Sequence, residues 1–119
     1  MRTTVGLLLL TSLAASPAFG HAILREASVG PGRSVRAETP TSVTLRFNSG
    51  IETRLSRITL IAADGNERAL DVKPGDAPGQ VTVELPPLAA GSYGLRYRVL
   101  AADGHTTDSL LRFSVTTAE

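Results

Sequence analysis

The sequence has 119 residues, of which 42% are hydrophobic, 19% charged and 4% aromatic, and it contains no cysteine and no tryptophan. This length allows one domain and excludes a multidomain enzyme. The 12 lysines and arginines nearly balance the 11 aspartates and glutamates. The chain therefore lacks the basic excess that phosphate neutralisation needs, and we expect no nucleic-acid partner.

The first twenty residues have the organisation of a secretory signal peptide. A positive start at Met1-Arg2 precedes a nearly all-apolar run over residues 5–13, which is too short to span a bilayer. Ala18-Phe19-Gly20 then places small residues at positions −3 and −1 of a cleavage site. The sequence predicts a signal peptide over residues 1–20 and an exported domain over residues 21–119, with an uncleaved anchor as the alternative.

The mature chain that this cleavage would leave carries 11 basic and 11 acidic residues, because Arg2 is removed. It has no second apolar segment, so we expect a soluble product outside the cytoplasmic membrane. The single methionine is Met1, and there is no cysteine. Without a thiolate or thioether ligand, a site for a soft ion such as Cu(I) is disfavoured.

Hydrophobic and polar residues alternate along most of the mature chain, as they do in half-buried strands. Five segments show this clearly and two more weakly: 43–47, 57–62, 81–85, 92–99 and 111–115, then 21–27 and 67–72. Asp64-Gly65 is typical of a tight hairpin, residues 73–79 are rich in turn formers, and residues 52–55 suggest a single turn. Seven short strands in a chain of about 100 residues predict an all-β fold, a seven-stranded Greek-key β-sandwich or barrel of immunoglobulin or cupredoxin size.

The two histidines are the first candidates for chemistry, and His21 has a special position. Cleavage would make His21 the N-terminal residue. A free α-amino group beside an imidazole can chelate one metal ion through the amine nitrogen and the ring Nδ1. The amine has a reference pKa of about 7.7–8.0, so it loses its proton easily near neutral pH.

The second histidine closes the string Ala-Ala-Asp-Gly-His, with Asp103 two residues before His105. At this spacing both side chains can project to one side of the chain. Residues 63–65 repeat Ala-Asp-Gly but continue with Asn66, so Asp-Gly alone is a turn signal. Taken singly, a loop histidine is ordinarily an exposed polar residue and Asp103 a turn former. Their combination with His21 favours a metal site.

The donor set of such a site would be three nitrogens and one oxygen, from His21, Asp103 and His105. Tetragonal coordination by nitrogen and oxygen favours Cu(II), as does the Irving–Williams order. Zn(II) would accept the same ligands in a tetrahedral site and is the competing metal. The sequence predicts one Cu(II) ion per chain.

Residues 21–32, which begin with His21 and end in Gly-Pro-Gly, resemble the start of the CopC copper-resistance domain. Residues 39–47, and residues 88–115 with their Asp-Gly-His string, resemble the remainder of that family. The resemblance implies a periplasmic, cupredoxin-like Greek-key barrel that binds copper, with Cu(II) held by His21, Asp103 and His105. Many relatives also carry a methionine-rich loop that forms a Cu(I) site, which this sequence lacks.

The resulting hypothesis is a periplasmic, monomeric Cu(II)-binding protein and not an enzyme. It would serve copper sequestration, resistance or delivery to an inner-membrane copper transporter. One alternative is a copper-dependent oxidative enzyme, because an N-terminal histidine paired with another also occurs in copper oxygenases that cleave polysaccharides. Catalytic metal sites keep an open position, which Asp103 would fill here. Another alternative, a metal-free immunoglobulin-like interaction module, leaves the placement of His21 and His105 unexplained.

Overall fold

The computed structural model describes residues 22–117, which form nine β-strands and one 3₁₀ helix at Thr53–Leu55. The strands are β1 (Leu24–Ala27), β2 (Val35–Arg36), β3 (Thr41–Phe47), β4 (Arg57–Ala62), β5 (Glu67–Leu70), β6 (Lys73–Pro74), β7 (Gln80–Leu85), β8 (Gly91–Leu100) and β9 (Thr106–Thr116). A four-stranded sheet has the order β1-β3-β7-β6 and a five-stranded sheet the order β2-β9-β8-β4-β5. Strands from distant parts of the sequence are neighbours, as in Greek-key sandwiches. Within the described range, no helix is long and apolar enough to cross a membrane.

The predicted all-β sandwich is confirmed, with two strands more than the seven expected. The additional strands, β2 and β6, have two residues each and lie at the edges of their sheets. Two residues cannot show an alternating pattern, and β6 contains Pro74, which favours a loop or an edge. The turn expected at residues 52–55 is the 3₁₀ helix, and Asp64-Gly65 joins β4 to β5 as predicted.

The core lies between the two sheets and is built from the alternating positions. Leu45 in β3 pairs in register with Val81 in β7, and both are fully buried. Leu95 and Val99 of β8 are also fully buried, from the opposite sheet. Burial of these side chains removes apolar area from water, which is the main stabilising contribution in a domain without disulfides.

Two aromatic contacts lie in the sandwich, one between the sheets and one within the five-stranded sheet. Phe47 of one sheet meets Tyr97 of the other edge to face, with ring centroids 5.4 Å apart. Near the start of β8, Tyr93 stacks on Phe113, and its hydroxyl donates a hydrogen bond to the Ala89 carbonyl at 2.7 Å. This bond to a residue just upstream resembles the tyrosine corner of immunoglobulin-type sandwiches and fixes the connection that enters β8.

One polar side chain among the described residues is buried, that of Ser56, between the 3₁₀ helix and β4. Its hydroxyl donates to the Glu52 carbonyl at 2.8 Å and accepts the Leu100 N–H at 3.0 Å. Ser56 thereby joins the segment around the 3₁₀ helix to the end of β8.

We expect Ser56→Ala to lower the free energy of unfolding by about 1–3 kcal/mol, because the Leu100 amide loses its acceptor in a partly buried position. Denaturant unfolding measures the change. Ser42→Ala is the matched control, because the Ser42 hydroxyl makes its hydrogen bond to Glu84 on the exposed surface, and it should change stability by less than about 0.5 kcal/mol. Equal losses in the two variants would contradict the role of Ser56.

Candidate metal centre

The loop that carries Asp103 and His105 is the tight connection between β8 and β9, the two longest strands. The Ala101 N–H donates to the His105 carbonyl at 2.8 Å, and the Gly104 N–H donates to the Ala101 carbonyl at 2.9 Å. Gly104 has a φ of 97°, in the left-handed region that glycine adopts without strain. Ten consecutive residue pairs join β8 and β9, so the loop is held at the end of a long, regular hairpin.

The structure brings the side chains of Asp103 and His105 together. Asp103 Oδ1 accepts a hydrogen bond from the His105 backbone N–H at 3.1 Å and lies 3.4 Å from His105 Nδ1. The imidazole is 62% exposed and the carboxylate 43% exposed. Both groups are therefore accessible from solvent, at the surface of the sandwich.

The turn also lowers the pKa of Asp103. The hydrogen bond from the His105 backbone N–H holds the pKa of the Asp103 carboxyl below its ordinary value, and the neighbouring imidazole acts in the same direction. Partial loss of solvation opposes them with a smaller effect than that of the backbone hydrogen bond. Asp103 is consequently ionised at neutral pH, the state in which a carboxylate binds metal.

The separation of the two donor atoms fits the binding of a single metal ion. Two ligand atoms that are each about 2.1 Å from one ion lie about 3.0 Å apart at a right angle and about 3.4 Å apart at a tetrahedral angle. Asp103 Oδ1 and His105 Nδ1 are 3.4 Å apart. Small side-chain rotations, which exposed groups make readily, suffice to reach either geometry.

The third expected ligand, His21, lies outside the described residues, as does the predicted signal peptide. Ala22, the next residue, is described and is almost fully buried. Its N–H donates to the hydroxyl Oγ1 of Thr107 at 3.1 Å, and Thr107 is only two residues from His105. Successive Cα atoms are about 3.8 Å apart. Ala22, the residue after His21, thus lies at the end of the sandwich where Asp103 and His105 lie.

Residues 22–117 contain no group of three or more His, Cys, Asp or Glu side chains placed to hold a metal ion. Asp103 and His105 form a pair, which could supply two of the ligands that a Cu(II) or Zn(II) site requires. A site of three or more protein ligands at this place would need a further donor, and the described residue Ala22 is anchored nearby, at Thr107.

A neighbouring segment also packs against the loop. Gly50 and Ile51 lie beside it, since the Ala102 N–H donates to the Gly50 carbonyl at 2.8 Å and Ile51 forms a β-bridge with Ala101. The sequence did not predict the contact of Gly50 and Ile51 with this loop, nor the hydrogen bond between Ala22 and Thr107. The pairing depends on which strands meet, and no local pattern in residues 48–52 indicates it.

The turn at residues 103–105 has the same backbone structure as the turn at residues 64–66. In the β4–β5 hairpin, Asp64 Oδ1 accepts the Asn66 backbone N–H at 2.9 Å, and Gly65 has a φ of 91°. The enclosing hydrogen bonds match as well, because the Ala62 N–H donates to the Asn66 carbonyl at 2.9 Å. Asp-Gly therefore specifies the same bend in both places, and the residue after it distinguishes them.

Comparison with known proteins identifies the family of this domain. The CopC domain family matches residues 24–116. The chain belongs to the CopC family. Among solved structures, CopC from Methylosinus trichosporium OB3b is 35% identical, with a TM-score of 0.72, and the match covers 83% of this chain and 97% of that one. No curated protein sequence matches the chain.

More distant structures share the fold. PcoC from Escherichia coli, a methionine-rich copper resistance protein, is 20% identical with a TM-score of 0.59, covering 81% of this chain and 99% of its own. The filamin domain of Lin-41 is 19% identical with a TM-score of 0.50, covering 70% and 88%. The CopC-family sandwich thus shares its fold with the Lin-41 filamin domain, and the Asp103–His105 loop lies at one end of that sandwich.

Proposed function

We propose that this CopC-family protein binds one Cu(II) ion through Asp103, His105 and the N-terminal His21 of the mature chain. The observation that carries the proposal is the approach of Asp103 Oδ1 to within 3.4 Å of His105 Nδ1 in an exposed loop. The anchoring of Ala22 beside the same loop supports His21 as the third residue of the site. The amine and imidazole of His21 would complete a set of three nitrogens and one oxygen.

The donor set of the proposed site favours Cu(II) over Cu(I). Imidazole, amine and carboxylate groups suit Cu(II), whereas Cu(I) prefers the sulfur of methionine or cysteine. The chain has no cysteine, and its single methionine precedes the domain, at position 1. The Escherichia coli relative, by contrast, is described as methionine-rich. We therefore propose a carrier of Cu(II) alone.

The proposed role is copper sequestration, resistance or delivery to an inner-membrane copper transporter, by a monomer in the periplasm. Export rests on the signal peptide predicted over residues 1–20. The position of Asp103 favours a carrier over an oxidative enzyme. Its ionised carboxylate lies beside His105. There it would fill a coordination position that a catalytic copper keeps open for substrate or oxygen.

Titration of the mature protein with Cu(II) and with Cu(I), each against a competing chelator, tests the proposal. We expect retention of one equivalent of Cu(II) and no tight retention of Cu(I). We expect mass spectrometry of the exported protein to show that it begins at His21; another N-terminus would remove the proposed chelate. Failure to retain Cu(II), or tight retention of Cu(I), would contradict the proposed function.

A variant that keeps one additional residue before His21 is the matched control for the chelate. The ring and the terminal amine then belong to different residues, while residues 22–117 are unchanged. We expect Cu(II) affinity to fall by more than the roughly 10–100-fold that loss of an outer-shell contact causes. Unchanged affinity would remove the terminal amine from the site.

A further inference from the structure

The two backbone amides that follow His21 are both hydrogen-bonded to side chains. The Ala22 N–H donates to Thr107 Oγ1 at 3.1 Å, and the Ile23 N–H donates to Asn48 Oδ1 at 2.8 Å. The Asn48 backbone N–H donates in return to the Ile23 carbonyl at 3.0 Å. Residues 22–23 are thus held by hydrogen bonds before β1 begins at Leu24.

The two acceptors come from different sheets. Thr107 belongs to β9 of the five-stranded sheet, and Asn48 follows the last residue of β3 in the four-stranded sheet. Successive N–H groups of an extended chain point in opposite directions, so one segment can bond to both sides. The Ala22 side chain is buried in the core at the same time, while Ile23 is half exposed. Residues 22–23 are therefore anchored by both sheets and by the core.

We propose that Thr107 and Asn48 are positioning residues for the metal centre. They hold residues 22–23 so that the chain arrives beside Asp103 and His105 in a set direction before any metal binds. This inference rests on the proposed function, since it assigns these residues a role toward the same Cu(II) site. Neither residue contributes a ligand in this scheme.

Thr107 is the more important of the two. It lies two residues after His105 on one continuous stretch of chain, and in an extended chain side chains at that spacing share a face. The anchor for the N-terminal segment and the imidazole ligand are therefore carried by the same rigid hairpin. Because the backbone of residues 22–23 is already ordered, less conformational entropy is lost when the metal binds.

The test compares Thr107→Val, which removes the acceptor at nearly constant shape, with Thr107→Ser, which keeps the hydroxyl. Thr59→Val is the control, because Thr59 lies in the middle of β4 and its hydroxyl makes no hydrogen bond within residues 22–117. Three quantities are measured in the mature protein. They are amide hydrogen exchange at Ala22 without metal, the rate of Cu(II) loss to a chelator, and the electron paramagnetic resonance spectrum of the Cu(II) form.

We expect Thr107→Val to speed hydrogen exchange at the Ala22 amide, to accelerate Cu(II) loss by about 10–100-fold and to alter the spectrum. Thr107→Ser should restore all three, and Thr59→Val should resemble the wild type. Asn48→Ala should act in the same direction through the amide of Ile23. Denaturant unfolding of each variant verifies that it is folded.

The outcomes separate this inference from the proposed function. If the wild type retains Cu(II) while Thr107→Val keeps the wild-type rate and spectrum, the positioning role is overturned and the copper site stands. If the wild type retains no Cu(II), both proposals fall. Protection of the Ala22 amide would in that case make Thr107 an anchor for the fold alone.

Discussion

His105→Ala is expected to abolish tight Cu(II) binding, and Asp103→Ala to weaken it by a smaller factor. Imidazole nitrogen is a stronger Cu(II) ligand than carboxylate oxygen, so loss of the ring should reduce affinity by more than about 100-fold. In the proposed site Asp103 would contribute one oxygen and a negative charge, and its pKa is lowered from the ordinary value. Competition titration gives the affinities, and electron paramagnetic resonance reports the change of ligands.

Asp64→Ala is the matched control for Asp103→Ala. Both variants remove a carboxylate that accepts a backbone N–H two residues on, at 2.9 Å for Asp64 and 3.1 Å for Asp103. Both therefore lose the same turn contact, and only one loses a proposed ligand. Identical Cu(II) spectra for the wild type and Asp103→Ala would show that Asp103 is a turn residue only and that it leaves a coordination position of the copper open.

Leu45→Ala is expected to have the largest effect on stability, a loss of about 2–5 kcal/mol. Leu45 is fully buried in β3, between the sheets, and pairs with Val81 and Ala27 on the two sides of its strand. A domain of this size is typically stable by about 5–15 kcal/mol, and this one has no cysteine to form a disulfide. The loss is therefore a large fraction of the total, and denaturant unfolding should show a clearly lower midpoint.

Leu55→Ala makes the same chemical change at a side chain that is 70% exposed, in the 3₁₀ helix. It should alter the free energy of unfolding by less than about 0.5 kcal/mol. A comparable loss in the two variants would mean that burial at Leu45 does not control stability. The difference between them isolates the contribution of the core from the effect of shortening a leucine.

The parts of the fold that sequence could predict are those encoded by local patterns. Alternation at Val43, Leu45 and Phe47 specifies the buried face of β3 without reference to any other strand. The spacing of Asp103 and His105 likewise indicates that their side chains can meet, because a single glycine separates them. Each of these features is determined within a few residues of chain.

The parts that sequence could not predict depend on pairing between distant segments. Thr107 and Asn48 look like ordinary polar strand and loop residues, and their hydrogen bonds to residues 22–23 arise only once β1 and β9 are in place. The edge strand β2 exists only because Val35 pairs with Val115, 80 residues away, in the parallel sense. No window of the sequence contains both partners of such contacts.

The turns at residues 64–66 and 103–105 show that the bend and the side chain that it presents depend on different residues. Asp-Gly specifies the bend at residues 64–65 and again at 103–104, with nearly equal glycine φ values of 91° and 97°. The following position holds Asn66 in one turn and His105 in the other, and the enclosing backbone hydrogen bonds are alike in both. The same hairpin bend therefore presents an amide side chain in one place and an imidazole in the other, according to that one residue. The turn at residues 103–105 thus differs from the turn at residues 64–66 in two respects, the imidazole that it presents and the nearby anchoring of Ala22 by Thr107.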